Sequence, residues 1–162
     1  MSVLIIASSQ PRAGRSLIAA ALAYRFARDG KPVTLARLSG DDSADADAKT
    51  FALIEYISSP GKPISEGDLV ALAAAGDVIV EAPPGSVKAL AEKHRARVIA
   101  VGTATSPEIG APKDALAGTI ITGVAAADLA AVRQRTGVLA VLAEDHALAA
   151  PSVGDIADAL KA

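Results

Sequence analysis

Val3-Leu4-Ile5-Ile6-Ala7 is an unbroken apolar run, the pattern of a strand covered on both faces, and it predicts a central strand. After a polar loop, Ser8 to Gly14, the stretch from Leu17 to Ala27 is rich in helix formers and stops before Gly30, which predicts a helix. Lys31 to Leu38 then alternates apolar with polar residues, as a strand nearer a sheet edge does. A helix is expected from about Ala46 to Ile57, broken by Ser58-Ser59-Pro60-Gly61, and another begins at Ser65, whose spacing to Asp68 is that of a capping box. Asp77-Val78-Ile79-Val80-Glu81 is a short buried strand running into Ala82-Pro83-Pro84-Gly85, a turn that cannot continue a ladder, and Ser86 is expected to cap the next helix. Three more apolar runs follow, Arg97 to Gly102, Thr119 to Gly123 and Val138 to Leu142, with helical segments at Ala125 to Gln134 and Ser152 to Leu160.

Strand and helix alternate throughout, which predicts an α/β fold: a three-layer α/β/α sandwich with a mostly parallel sheet and a ligand crevice beyond the carboxyl ends of the strands. The 162 residues fit one domain, 1–162, large enough to bury its own core. The loop from Thr103 to Lys113, with Pro107, Gly110 and Pro112, is the candidate ligand-covering element.

Composition narrows the chemistry. Half of the chain is hydrophobic but only 2% is aromatic, so the core must be built from Ala, Val, Leu and Ile, which suits helices lying close on a sheet. A net charge of -2 with scattered basic residues leaves no footprint for nucleic acid. The absence of cysteine excludes disulfides, thiolate metal sites and cysteine nucleophiles. The apolar start, Ser2 to Ser8, is too short to span a membrane and lacks the marks of a signal peptide, so no membrane association and a cytoplasmic location are expected. His94 and His146 have no partner at metal-ligand spacing and are expected to be solvated surface residues.

The segment Ser9-Gln10-Pro11-Arg12-Ala13-Gly14-Arg15-Ser16 lies between the first strand and the first helix, where a phosphate-binding loop belongs. Against G-x-x-x-x-G-K-[ST], Ser9 replaces the first glycine, Gly14 matches, Arg15 replaces the lysine and Ser16 matches the magnesium-coordinating hydroxyl. Backbone N–H groups and the positive end of a helix attract an anion whatever side chains flank them, so Ser9, Gln10, Arg12, Ala13, Gly14, Arg15 and Ser16 are the candidate phosphate cradle. Arginine grips phosphate through a planar fork that cannot follow a transferring phosphoryl group as an ammonium does, so hydrolysis is expected to be weak or absent. The plainer alternative makes Arg12 and Arg15 solvated residues at an ordinary strand-helix turn.

The strand-acid-x-Pro-Pro-Gly sequence ending at Gly85 points the same way, because such folds place there the carboxylate that orders magnesium near a γ-phosphate. Glu81 is the candidate, with Ser16 as the hydroxyl ligand and Asp42 as a second acid near metal or substrate; Asp41, Asp45 and Asp47 are expected to be solvated. Arg15 and Glu81 would carry any catalysis, with ATP and Mg as cofactors.

With these segments in place, the chain resembles the dethiobiotin synthetase and cobyrinic acid a,c-diamide synthase class of P-loop proteins, including the related N-terminal domain of long phosphotransacetylases. The resemblance runs nearly end to end: Ser8 to Ser16 is similar to the class's phosphate loop, Asp77 to Gly85 to its acidic strand and turn, and Gly137 to Asp145 with Leu148 to Val153 to its closing strand and final helix. It implies ATP binding through a loop lysine, ATP-dependent carboxylate activation and an asparagine after a late strand that reads adenine. Here Arg15 stands in place of the lysine and Thr122-Gly123 in place of the asparagine, and the chain is short between Gly85 and Gly118, where the class binds its organic substrate.

Three readings follow: a module for a nucleotide or other phosphate-containing ligand that has lost efficient chemistry; a working ATP-dependent synthetase in which Arg15 or Arg12 replaces the lysine; and a structural or homodimerisation domain whose Ala-rich helices, such as Leu69 to Ala75, bind a partner.

Overall fold

A computed structural model describes residues 2–10, 13–103 and 109–145. Six strands, β1 (Val3–Ala7), β2 (Val33–Arg37), β3 (Asp77–Glu81), β4 (Arg97–Thr103), β5 (Leu116–Val124) and β6 (Val138–Ala143), form one sheet in the order β2-β3-β1-β4-β5-β6. Every pair of neighbours is parallel, which requires a crossover after each strand. The crossovers carry helices α1 (Arg15–Arg28), α2 (Ala44–Ala52), α3 (Glu66–Ala75), α4 (Val87–His94) and α5 (Leu129–Arg133).

The expected α/β sandwich is the observed one. Successive residues of β1 face opposite sides of the sheet: Val3, Ile5 and Ala7 pack with Leu69 of α3 and Leu90 of α4, whereas Ile6 packs with Ile18 and Ala23 of α1 and Phe51 of α2. Both faces of β1 are therefore covered, as its unbroken apolar run requires, and the alternating β2 lies at the edge. Ala19 and Ala23 are fully buried, and their small side chains let α1 lie close on the sheet. Each fully buried aliphatic side chain of the Ile5 or Leu69 kind contributes roughly 1.5–3 kcal/mol through burial.

Several boundaries differ from the pattern-based expectation. Helix α2 ends at Ala52 rather than at Ile57, because the chain must turn back, through Tyr56 at a φ of 66°, to bring Ser58 and Ile64 alongside β2. Strand β5 is longer than its apolar run, and its bulged register against β4 and β6 places Gly118 where a Cβ would lie 2.5 Å from Leu139. In place of one helix from Ala125 to Gln134 there is a 3-10 turn at Ala126–Asp128 followed by the short α5. Ser65 and Asp68 form the expected capping box, but the Ser86 hydroxyl donates to the Pro83 carbonyl at 2.9 Å and caps nothing.

His94 is not solvated: its side chain is 8% exposed in the last turn of α4, with Nε2 at 3.7 Å from Glu66 on α3. The expected helix at 152–160, His146 and the centre of the 103–113 loop lie outside the described residues. No helix among the described residues is long and apolar enough to cross a membrane.

Candidate functional site

The loop after β1 is fastened to the ends of two other strands. The Ser8 hydroxyl accepts from the Gln10 amide and donates to the Gln10 carbonyl, both at 3.0 Å, which sets a tight local turn. The Gln10 side-chain oxygen accepts from the Thr103 amide at 2.8 Å and its hydroxyl at 3.2 Å, at the end of β4. At the end of β5, the Thr122 hydroxyl donates to the Ala13 carbonyl at 2.8 Å. Gly14 then reverses the chain into α1 at a φ of 79°, a conformation that glycine adopts without the penalty a Cβ would bring.

Helix α1 begins on Gly14 with no side-chain cap and no acid in its first turn. The backbone N–H groups of a first turn have no acceptor within the helix, so this end is left as a cluster of donors with the positive end of the helix behind it. It opens on a cavity of about 630 Å³ lined by Ser8, Ser9, Gln10, Ala13, Gly14, Arg15 and Ser16 of the loop and by Asp41, Ser43 and Asp47 across from it. The cavity sits at the carboxyl end of β1, between β3 on one side and β4 on the other, the place where a doubly wound sheet takes its ligands. A cavity of about 690 Å³ at the amino ends of the strands lies near Asp77, whose carboxylate accepts from the Ser2 amide and hydroxyl.

Behind the loop lies a network of five charged side chains. Arg15 donates from Nε to Glu81, from a terminal nitrogen to the Ala82 carbonyl at 3.0 Å, and from the other to Asp41 at 3.3 Å. The Ser16 hydroxyl donates to the same Glu81 oxygen at 3.2 Å. Arg37 is fully buried and bonds Asp41, Asp47 at 3.2 Å and the Leu38 carbonyl at 2.9 Å, with Nε 3.6 Å from Glu81. Arg37 and Glu81 are register partners at the ends of β2 and β3, so the sheet itself sets one beside the other.

Burial raises the Glu81 carboxyl above the ordinary range, and the charges of Arg15 and Arg37 offset this only in part. One of its oxygens, Oε2, is buried without a hydrogen-bond partner. Asp41 ends on the other side of its ordinary value: burial pushes it up, but the hydrogen bonds and charge of Arg37, with Ser43 and Arg15, outweigh burial and hold it low.

The structure thus brings together most of the residues the sequence singles out. Ser9, Gln10, Ala13, Gly14, Arg15 and Ser16 line one cavity, Glu81 sits directly behind Arg15 and Ser16, and Arg12 lies outside the described residues. The acids are distributed differently from the expectation. Asp42 is exposed and does not line the cavity, while Asp41 and Asp47 turn inward to Arg37, because a fully buried guanidinium must be matched by carboxylates within reach.

Arg37 itself is the residue that sequence reasoning misses. Its signal is its place as the last residue of a strand, level with the acid that ends the neighbouring strand. The Thr122 hydroxyl bonds the backbone carbonyls of Ala13 and Gly102.

A divalent cation does not fit these side chains as they stand. The Glu81 oxygen nearest Ser16 already accepts from both Ser16 and Arg15, and no group of three or more acidic, histidine or cysteine side chains among the described residues is arranged to hold a metal. No protein-family model matches the chain, and no curated protein matches it.

Proposed function

We propose that the cavity at the start of α1 binds a nucleotide or another phosphate-containing ligand and that the domain hydrolyses ATP weakly or not at all. The observation that carries this reading is the α1 terminus: an uncapped first turn, free of acids and entered through Gly14 in the left-handed region, that opens on a cavity large enough for a small ligand. The fastening of the loop to Thr103 and Thr122 supports it, since a cradle fixed in advance costs less ordering when a ligand arrives.

Weak chemistry follows from Arg15. Its guanidinium is turned back onto Glu81, Ala82 and Asp41, and the three N–H groups committed there tie it down against following a transferring phosphoryl group. A synthetase would need that network to open, exchanging several charge-assisted hydrogen bonds for contacts to substrate.

Isothermal titration with ATP, ADP, GTP and inorganic phosphate, paired with a phosphate-release assay, tests the proposal. Saturable binding with release at the buffer rate is the expected outcome. Absence of heat or thermal shift at millimolar ligand removes the phosphate reading, and steady turnover that is lost in Arg15→Ala returns the synthetase reading in its place.

A further inference from the structure

We infer that the Arg15 guanidinium is a tethered cation standing in the seat that a divalent metal would take between Ser16, Glu81 and Asp41, so that the site receives its phosphate ligand without metal. The ligand half of this inference rests on the proposed function above; the cation half rests on geometry alone.

Two carboxylate oxygens converge on one positive centre, and a hydroxyl is bonded to one of them. Glu81 Oε1 accepts from Arg15 Nε, Asp41 Oδ2 accepts from a terminal nitrogen at 3.3 Å, and Ser16 Oγ lies 3.2 Å from that same Glu81 oxygen. Hydroxyl, strand-end carboxylate and loop carboxylate are the oxygen types a hard divalent cation selects, at about 2.0–2.1 Å for magnesium. Here a planar fork holds the oxygens apart at hydrogen-bond distance. The Ala82 carbonyl, at 3.0 Å from the remaining terminal nitrogen, fixes the fork's orientation.

Charge points to the same conclusion. The network sets two guanidiniums, Arg15 and Arg37, against three carboxylates, Asp41, Asp47 and Glu81, leaving one excess negative charge when all are ionised. Without Arg15 the excess is two, which is what one divalent cation neutralises. Arg37 cannot serve in its stead, because it is fully buried and committed to Asp41, Asp47 and the Leu38 carbonyl. The unpartnered Glu81 Oε2 marks an acceptor that the present cation does not reach.

The cation is covalently tethered to the chain, so the seat is filled permanently rather than by exchange with solution. Three of its five N–H groups are used by Glu81, Ala82 and Asp41. The other two remain for a phosphate oxygen in the cavity that Arg15 lines.

The test uses Mn(II) as a paramagnetic probe, with no nucleotide present, on the wild-type chain, Arg15→Ala, Arg15→Lys and the double variant Arg15→Ala/Glu81→Gln. The wild type is expected to leave Mn(II) free at sub-millimolar concentration. Arg15→Ala should bind one Mn(II) at least about tenfold more tightly than the wild type, melt at a higher temperature with it, and lose that binding in the double variant. Arg15→Lys keeps the charge and should bind less Mn(II) than Arg15→Ala. In a second arm, ATP affinity of the wild type should agree within about twofold in EDTA and in excess magnesium.

Stoichiometric Mn(II) binding by the wild type, a folded Arg15→Ala that binds none, or an ATP affinity that falls about tenfold in EDTA would each overturn the inference. If Arg15→Ala does not fold, Arg15→Lys and the wild-type arms decide. If neither ATP nor phosphate binds under any condition, the phosphate reading fails while the Mn(II) arm still reports on the cation seat.

Discussion

Helix α3 begins at Ser65, whose hydroxyl oxygen accepts from the Asp68 amide at 3.2 Å while the Asp68 carboxylate accepts from the Ser65 amide at 2.9 Å; helix α1 begins at Gly14, with no capping side chain and no acid in its first turn. Both helices follow a loop and both cover the same sheet. The first turn of α3 is satisfied from within the chain, and Glu66 and Asp68 add negative charge at its positive end. The first turn of α1 is left to whatever enters the cavity before it. Helices α2 and α4 also start without a side-chain cap, but α2 carries Asp45 and Asp47 in its first turn, and among the described residues it is α1 that meets the large cavity free of acids, behind a loop fastened to the ends of two other strands. The difference separates a terminus satisfied from within the chain from one that, on the proposed function, is left for a ligand.

The largest effect that bears on this comparison comes from the network behind α1. Arg37→Met leaves Asp41, Asp47 and Glu81 without their buried cation and should cost about 3–5 kcal/mol, read as a lower urea midpoint. A loss under about 1 kcal/mol would mean that the carboxylates find other partners and that the network is not what shapes the site. At α3, Ser65→Ala removes a cap and should cost about 1 kcal/mol, with ligand affinity at α1 unchanged.

The smaller expected effects are the more discriminating ones. Leu17, 60% exposed in the first turn of α1, can be replaced by glutamate to give that helix the acid it lacks. Leu17→Glu should raise stability by about 0.3–1 kcal/mol while weakening phosphate binding, a trade that the same kind of change at α3 would not produce. If affinity is untouched, the positive end of α1 does not hold the ligand.

The smallest effect is a pH trend. Burial sets the folded Glu81 carboxyl above its unfolded value, so its contribution is complete below that unfolded value and is lost as pH rises through the raised one. Asp41 has the opposite sign: held low, it contributes above the ordinary aspartate range and loses that contribution as pH falls. The stability of the wild type relative to Glu81→Gln should therefore decline as pH rises above the ordinary glutamate range, measured by urea unfolding at each pH. A difference that is flat or grows with pH removes burial as the dominant influence on Glu81.

Much of the fold is legible because it depends on local patterns. The unbroken run of β1, the alternation of β2 and the Ser65 to Asp68 spacing each state a physical requirement within a few residues, and each is met. Helix ends are less legible, since α2 stops where tertiary pairing of Ser58 with the β2 edge demands it, and no residue before Ser58 announces that. In the site, the phosphate-loop position can be read from strand, loop and helix order alone. The choice of Asp41 over Asp42 cannot, because it depends on Arg37 being buried, and that follows only when β2 and β3 pair with Arg37 level with Glu81.

The central claim concerns the backbone amides at the start of α1, and amide chemical shifts of a nitrogen-15-labelled sample titrated with ATP and with inorganic phosphate test it most directly. The amides of Ala13, Gly14, Arg15 and Ser16 should shift together and saturate with one ligand, ahead of those around the Ser65 cap. Amides at Ala13 to Ser16 that stay still while ligand binds elsewhere, or that drift without saturating, would contradict the account.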